Sequence, residues 1–448
     1  MAAWRNLAVV PVLLAIIQPA WGQTYALSEN SRAGDCFRVH LDLVLSGEIK
    51  ISKDGKQIVL KQEGAAAHEF PERVLSVGAA ALPSKVARVY EKASSTISVN
   101  GEFTHRQLRA ERRLVVAQRQ KEQTLVYSPA GALTREELEL TDHFDTLDLA
   151  GLLPGREVAV GETWKLTNSL LQAICNFEGI TEQGLACKLE EVKDQIARVS
   201  IAGSVTGIDL GALVKATVEA TYQYDLHTKR LTRLEWKQKE DRDQGPASPA
   251  MTLQATTTLT RSEIDRPDSL SDVSLVSVPD DFEPPLFLTQ LELRDTRAGY
   301  SMAYSRDWQT VSRSSDHLVM RLIERGDFVA QVTLTPWTRA EPGKHLSADD
   351  FRRAMAETPG WAPEQELQAS EVPTDGCWIY RISTLGQLDG TKVMQNFYLV
   401  AGPAGQQIVL VFTLTPKQAD RVGNRDLSLA ESIEFPGAGQ DSEKPKKP

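Results

Sequence analysis

Long apolar runs are missing from this chain beyond Ile17, and no later stretch approaches the about 20 residues a membrane-spanning helix needs. No transmembrane segment is therefore expected once the N-terminal leader is removed. Cysteine is scarce, with four in 448 residues and neither a C-x-x-C pair nor zinc-ligand spacing, which excludes a thioredoxin-type redox motif and a zinc ribbon. Positive charge is in deficit: 50 Lys and Arg stand against 60 Asp and Glu, a formal net charge of −10, and the basic residues cluster only at Lys444, Lys446 and Lys447. Binding to a phosphate backbone works by counterion release from a basic face, so nucleic acid is not expected as a partner. Catalytic motifs are missing too. His68-Glu69 is followed by Pro71-Glu72 and not by the second histidine of a zincin, and Gly203-Ser204-Val205-Thr206-Gly207 lacks the register of a nucleophile elbow. The histidines are scattered, and no Ser/His/Asp or Cys/His set emerges. No catalytic residue, metal ligand or cofactor is nominated.

What is present begins with a leader. Arg5 makes the start positive, Leu7–Ile17 is apolar apart from Pro11, and Ala20-Trp21-Gly22 offers small residues where a signal peptidase cuts. Residues 1–22 read as a signal peptide, with a retained N-terminal anchor as the alternative. The expectation is an exported chain starting near Gln23, periplasmic or extracellular, whose net charge becomes −11 with the loss of Arg5. Cys175 and Cys187 are near enough in sequence to form a disulfide worth about 3 kcal/mol in the chain-entropy model. Two buried thiols fit the same spacing. Cys36 and Cys377 read as free, buried small hydrophobes.

A chain of 448 residues exceeds one ordinary domain. The dividing stretch is Arg261–Gln290, which carries Pro267, Pro279, Pro284 and Pro285 among Glu263, Asp265, Asp268, Asp272, Asp280, Asp281 and Glu283. Proline removes backbone donors and crowded carboxylates oppose compaction, so 263–285 reads as an extended, acidic, Pro-rich linker. It separates a β-rich domain, 23–262, from a second domain, 286–436, and 437–448 reads as a disordered tail.

In the first domain Phe37, Val39, Leu41, Leu43 and Leu45 alternate with a mostly polar set, the period of a half-buried strand. Ile49 and Ile51 continue it, Asp54-Gly55 turns the chain, and Ile58 and Leu60 return as a hairpin. Further strands are expected at Val86–Tyr90, Gln107–Gln118, Thr124–Ser128, Ala197–Ile201, Val214–Tyr224, Leu231–Gln238 and Met251–Leu259. Strands this long joined by short turns imply one antiparallel sheet that must curve. Two helices can roof it: one opened by the capping box Thr134/Glu137, one following Thr167 with Leu170, Leu171 and Ile174 on one stripe.

The stretch Leu152–Leu166 (LLPGREVAVGETWKL), together with Gly245–Pro249 (GPASP) after the Trp236 strand, resembles a family of uncharacterised exported bacterial proteins over most of Gln23–Arg261. The sheet-plus-helices layout is also similar to the open half-barrel of lipoprotein carriers such as LolA, a likeness of pattern alone.

In the second domain Tyr300, Met302 and Tyr304 alternate ahead of Arg306-Asp307-Trp308, and His317–Ile323 and Phe328–Thr335 form a hairpin. Ser347 with Asp350 caps a helix ending near Pro359-Gly360, strands follow at Cys377–Ser383, Lys392–Val400 and Gln407–Leu414, and a last helix holds Leu427, Leu429 and Ala430. With Gly299–Trp308 (GYSMAYSRDW) at its start and Ala430–Phe435 (AESIEF) at its end, this order resembles the α/β/α sandwich of the PsbP and DcrB proteins. That resemblance implies an assembly or binding module and no metal site. The fold class expected for the whole chain is α+β: a curved, long-stranded antiparallel sheet covered by short helices, then a smaller PsbP-like sandwich.

Three features are candidate sites. Asp142, His143, Asp145 and Asp148 could in principle ligate a divalent ion, but on a helix 142, 145 and 148 share a face only partly and an acidic helix surface explains them, so they are not nominated as ligands. Glu240, Asp241, Arg242, Asp243 and Gln244 read as a charged loop for interaction, or as a solvated hairpin connection. Trp337, Trp361 and Trp378 line a pocket or pack a core. The function expected is that of a non-enzymatic exported binding or assembly protein whose partner is another envelope or extracellular protein. The alternatives are a carrier of a hydrophobic ligand or lipid, an apolar small molecule held against the first sheet, and a hydrolase.

Overall fold

The structure, a computed structural model, describes residues 23–53, 56–78, 81–120, 123–142, 144–280, 283–374 and 376–435. The expected signal peptide, the Asp54-Gly55 turn, His143 and the tail 437–448 lie outside the described residues. The fold is mostly β, an α+β arrangement of open antiparallel sheets with few and short helices.

A fourteen-stranded sheet dominates the first half. It consists of two meanders that meet in its middle. One runs outward from Cys36–Lys53 through Lys56–Val77, Pro83–Val89 and Leu114–Gln120 to Gln123–Tyr127; the other runs outward from Ala250–Glu263 through Arg230–Arg242, Ala212–Asp225 and Ile196–Asp209 to Ala186–Lys193 and Thr163–Lys165. The seam between them is a continuous antiparallel register from Lys50/Ala250 to Phe37/Glu263. The long hairpin has the pairing its alternation predicts, with Ile49 opposite Leu60 and Ile51 opposite Ile58. The strand expected over Gln107–Gln118 is instead two: Glu102–Gln107 pairs back on Lys92–Val99, and Leu114–Gln120 begins after a 3-10 turn at Ala110–Arg112.

Helix α1 (Arg135–Thr141) has the predicted capping box: Thr134 accepts from the Glu137 backbone and Glu137 accepts in return. Helix α2 (Asn168–Cys175) is capped by Thr167 and ends on Asn176 in the left-handed region. With the 3-10 segment Thr146–Leu152 they cover one face of the sheet, where Leu140, Leu147, Leu170, Leu171 and Ile174 join Phe70, Tyr222, Leu234, Trp236 and Leu259 in one core.

The second large sheet has seven strands in the order Trp308–Arg313, Leu318–Glu324, Asp327–Trp337, Gln407–Leu414, Thr391–Ala401, Trp378–Leu388, Trp361–Val372. After the short α3 (Leu286–Thr289), α4 (Ala348–Ala356) packs Phe351 and Met355 on one face with Phe397 and Leu399. Tyr398 and Val400 of the same strand point the other way, into the core shared with Val422 of α5 (Ala419–Val422) and Leu429 and Ala430 of α6 (Arg425–Glu431). The edge strand Trp361–Val372 is not legible in the sequence: most of it is exposed on both faces, so it carries no apolar alternation.

The stretch between the two sheets is not an extended strap. A 3-10 turn forms at Asp268–Leu270, and Leu270 and Leu275 are buried against Ala87, while Leu288 of α3 is buried against Val116 and Tyr127. Arg73 donates to the Leu270 carbonyl at 2.9 Å and Lys85 to that of Pro279. Burial of these leucines offsets the carboxylate repulsion that charge counting emphasised. The two halves also touch directly. Leu133 bridges Leu291, Arg135 donates to the Arg306 and Trp308 carbonyls at 2.8 and 2.9 Å, and Arg306 donates to Val126 at 2.7 Å. At Gly211 (φ 75°) a Cβ would stand 2.1 Å from the Gly326 carbonyl, so only glycine permits that approach. One contiguous core accordingly runs from Leu27 to Ile433.

Candidate binding face

Antiparallel partners place their side chains on the same face, so the register defines what the large sheet presents. On the helix-covered face the row Leu41, His68, Leu259 is buried. Following the same parity outward, Leu43 lies beside Ala66 and Thr257, Leu45 beside Gly64 and Ala255, Gly47 beside Gln62 and Leu253, Ile49 beside Leu60 and Met251, and Ile51 beside Ile58. Ile97 and Val99 extend the rows through their pairing with Gly64 and Gln62. Apart from buried Thr257, these side chains are partly exposed or, for Ile58, 37% exposed, and the aliphatic ones lie outside the contiguous core. The opposite face at the same rows is Val44, Ser46, Glu48 and Lys50 beside Thr256, Gln254, Thr252 and Ala250. Thus the apolar face continues roughly 20 Å along the strands past the rim of the helical layer, taking about 3.3 Å per residue over the step from Leu43 to Ile49. The rim is marked by Phe144 packed on Trp236 at 5.6 Å. Next to it lie small side chains (Gly64, Ala66, Ala255) and farther out Ile49, Leu60 and Met251, a largely aliphatic strip bordered by Gln238, Glu240 and Arg242, the partners of Ala255, Leu253 and Met251.

The acidic cluster has another role. Asp145 takes both terminal nitrogens of Arg88 (2.6 and 3.0 Å) and caps the Leu147 backbone. Arg88 is fully buried and also donates to Glu72 at 2.8 Å and to Thr146. Asp148 pairs with Arg119 at 2.8 Å, and Asp142 bonds Asn176. Asp142, Asp145 and Asp148 do line a cleft of about 260 Å³ with Glu178, Asp209 and Arg306. There loss of hydration, then the charge of Asp145, pushes both Asp142 and Asp148 up to about 6. Burial likewise raises Glu178 and Asp209, yet Asp209 is held by Arg242 at 2.6 Å and Glu178 by the backbone of Leu210 and Gly211. Each of these carboxylates is engaged by the protein itself. No group of three or more His, Cys, Asp or Glu suited to a metal ion occurs among the described residues.

The expected charged loop is strand up to Arg242. Glu240 is buried beneath Arg242, which donates to it at 2.9 Å and ties it to Asp209; the connection after Asp243 is packed, since Arg321 of the second sheet donates to the Pro246 carbonyl. Glu240 and Arg242 answer each other, while Asp241, Asp243 and Gln244 are exposed. Cys175 and Cys187 are free and buried, not bridged. Cys175 closes α2, whereas the Cys187 thiol points to the Leu152 carbonyl at 4.0 Å, and burial pushes both up to about 12, so they stay protonated. Cys36 and Cys377 are free as expected, though Cys377 is only half-buried. Trp361 packs on Phe397 at 6.1 Å, and Trp337 and Trp378 flank the same core, the second with His345 stacked on it at 3.6 Å. His68 donates its Nε2 proton to the Leu140 carbonyl at 2.8 Å, and burial lowers it to about 4. Gly203 sits inside the strand Ile196–Asp209, where its backbone passes the Gly184 carbonyl too closely for a Cβ.

No protein-family model matches the chain, so neither the exported-protein family nor a LolA-type carrier finds support there. No curated protein matches it. Among solved structures, the PsbP protein of Synechocystis is similar over 33% of this chain and 93% of its own, at 18% identity and a TM-score of 0.27. The Ran-binding protein Mog1p of Saccharomyces cerevisiae is similar over 33% of this chain and 95% of its own, at 9% identity and a TM-score of 0.27. Lipovitellin is similar over 53% of this chain and 26% of its own, at 7% identity and a TM-score of 0.33. Likenesses this slight carry over no activity, ligand or partner.

Proposed function

We propose that this chain is an exported, non-catalytic binding protein that holds the alkyl chain of a lipid against the open aliphatic strip of its large sheet. The observation that carries the reading is the uncovered continuation of the apolar face through Leu43, Leu45, Ile49, Leu60, Met251 and Leu253. Its strands are paired on both sides, so the strip offers no free backbone edge for an added strand, and a ligand there binds by apolar contact. Aliphatic rows next to small side chains suit a flexible alkyl chain lying against the rim at Phe144 and Trp236. Export rests on the layout of residues 1–22, and N-terminal sequencing of the mature protein should begin near Gln23. The non-catalytic reading is supported by the way Arg88, Arg119 and Arg242 occupy the carboxylates of the acidic cleft.

The test is titration with a fluorescent polyene fatty acid, alongside native mass spectrometry of the purified full chain. Saturable binding at micromolar concentration is expected, reduced at least tenfold by Leu253→Glu with the unfolding midpoint nearly unchanged. Equal binding by that variant, or none by the wild type, would sink the reading.

The second half enters as an attached assembly module. Residues 286–436 would form a PsbP/DcrB-like domain, a reading supported by α4 on one face of the seven-stranded sheet and α5 and α6 on the other. A partner bound there would be another envelope or extracellular protein.

A further inference from the structure

Four of the five most exposed large hydrophobic side chains among the described residues fall within the stretch that joins the two sheets: Val276 (86%), Val273 (84%), Leu286 (73%) and Phe287 (61%). Other residues of the same stretch point inward. Leu270, Leu275 and Leu288 are buried, Val278 packs with both of their clusters, and Arg73 and Lys85 hold the backbone at Leu270 and Pro279. The outward set is therefore displayed on an anchored backbone, so little ordering entropy remains to be lost on binding. A cavity of about 510 Å³ opens beside it, lined by Leu75, Leu275, Val276 and Val278 together with the cations Arg73 and Lys85, and with Asp272 and Asp280. From Pro267 to Gln290 the chain has five Asp and Glu and no Lys, Arg or His. Asp272 is answered by Arg73 at 2.7 Å, while Asp268, Asp280 and Glu283 stand exposed beside the apolar set.

We propose that this outward face is a docking surface for a partner protein presenting aliphatic or aromatic side chains flanked by lysine or arginine. The acidic rim complements such a partner; it opposes a second copy of the same face, which would bring like charges together, and an anionic membrane. The surface is independent of the aliphatic strip proposed for an alkyl chain, which lies on other strands, and the two stand or fall separately.

The experiment selects a phage-displayed library of random 12-residue peptides on the full chain and measures the most enriched peptide, made synthetically, by fluorescence anisotropy. Enriched sequences should combine apolar residues with Lys or Arg. Their affinity should fall at least tenfold on Val273→Ser, Val276→Ser, Leu286→Ser and Phe287→Ser combined, and at least threefold, at low salt, on Asp268→Asn, Asp280→Asn and Glu283→Gln combined. Circular dichroism checks the fold of both, and if the serine variant does not fold the charge variant decides. Enrichment without that composition, or affinity unchanged in the folded variants, overturns the proposal. So does self-association of the wild type that the substitutions abolish, or tighter binding to phosphatidylglycerol vesicles than to the peptide.

Discussion

At the scale of single residues the strongest commitments are buried ions and one buried imidazole. Arg88 has no exposed surface and joins Glu72, Asp145 and Thr146 through its whole guanidinium, with the Phe70 ring 5.5 Å away. Removing the cation leaves two carboxylates in the interior without it, so Arg88→Ala is expected to cost about 3–5 kcal/mol in denaturant unfolding. His68 is lowered to about 4. A group depressed in the folded state supports folding above its unfolded value of about 6.5, and that support is lost as pH falls through about 4. Between those values the loss is roughly 3 kcal/mol. His68→Gln should flatten the acid side of a stability profile between pH 7 and 4. Asp148 acts in the opposite sense: raised to about 6, it favours folding most below about 3.8, and this contribution disappears as pH rises through 6. Asp148→Asn should therefore gain on the wild type as pH increases from 4 to 7.

At the scale of elements the structure turns on where a strand outruns its cover. Cys36–Lys53 alternates throughout, yet Val39 and Leu41 are fully buried while Leu43, Leu45 and Ile49 on the same face are not. The helical roof of α1, Thr146–Leu152 and α2 is shorter than the strands beneath it, and that difference in length leaves the aliphatic strip open. Replacement of Leu41 by Ala should cost about 2–5 kcal/mol, whereas Leu45→Ala on the open part should cost under about 1.5 kcal/mol. Urea unfolding of the two variants measures the contrast; equal costs would mean that Leu45 is covered.

At the scale of the whole molecule the contiguous core decides behaviour. Residues from Leu27 to Ile433 join it, and Arg109–Glu292, Arg135–Trp308 and Arg306–Val126 cross between the halves. Scanning calorimetry of the full chain should give one cooperative transition, and Arg306→Ala should lower its midpoint without splitting it. Two resolved transitions in the wild type would show that the shared interior is not cooperative.

Much of this was written locally. Strand alternation placed the long hairpin in register, because period two is a property of neighbouring residues, and Thr134/Glu137, Thr167 and Ser347 marked their helix starts because a cap is a contact within one turn. The acidic cluster was visible as composition, but not its arginines, since Arg88 and Arg119 lie on strands far away in the chain. The edge strand Trp361–Val372 escaped notice because exposure on both faces leaves no pattern. Alternation states which face is apolar and nothing about how far a helix reaches over it. Nor does proline and acid content tell whether Leu270, Leu275 and Leu288 find a surface to bury against. By itself the sequence determined the elements and their amphipathic faces, where the physics lies within a few residues. Which of those faces is covered and which is left to a ligand or partner was decided by the tertiary structure, because burial depends on chain segments that only folding brings together.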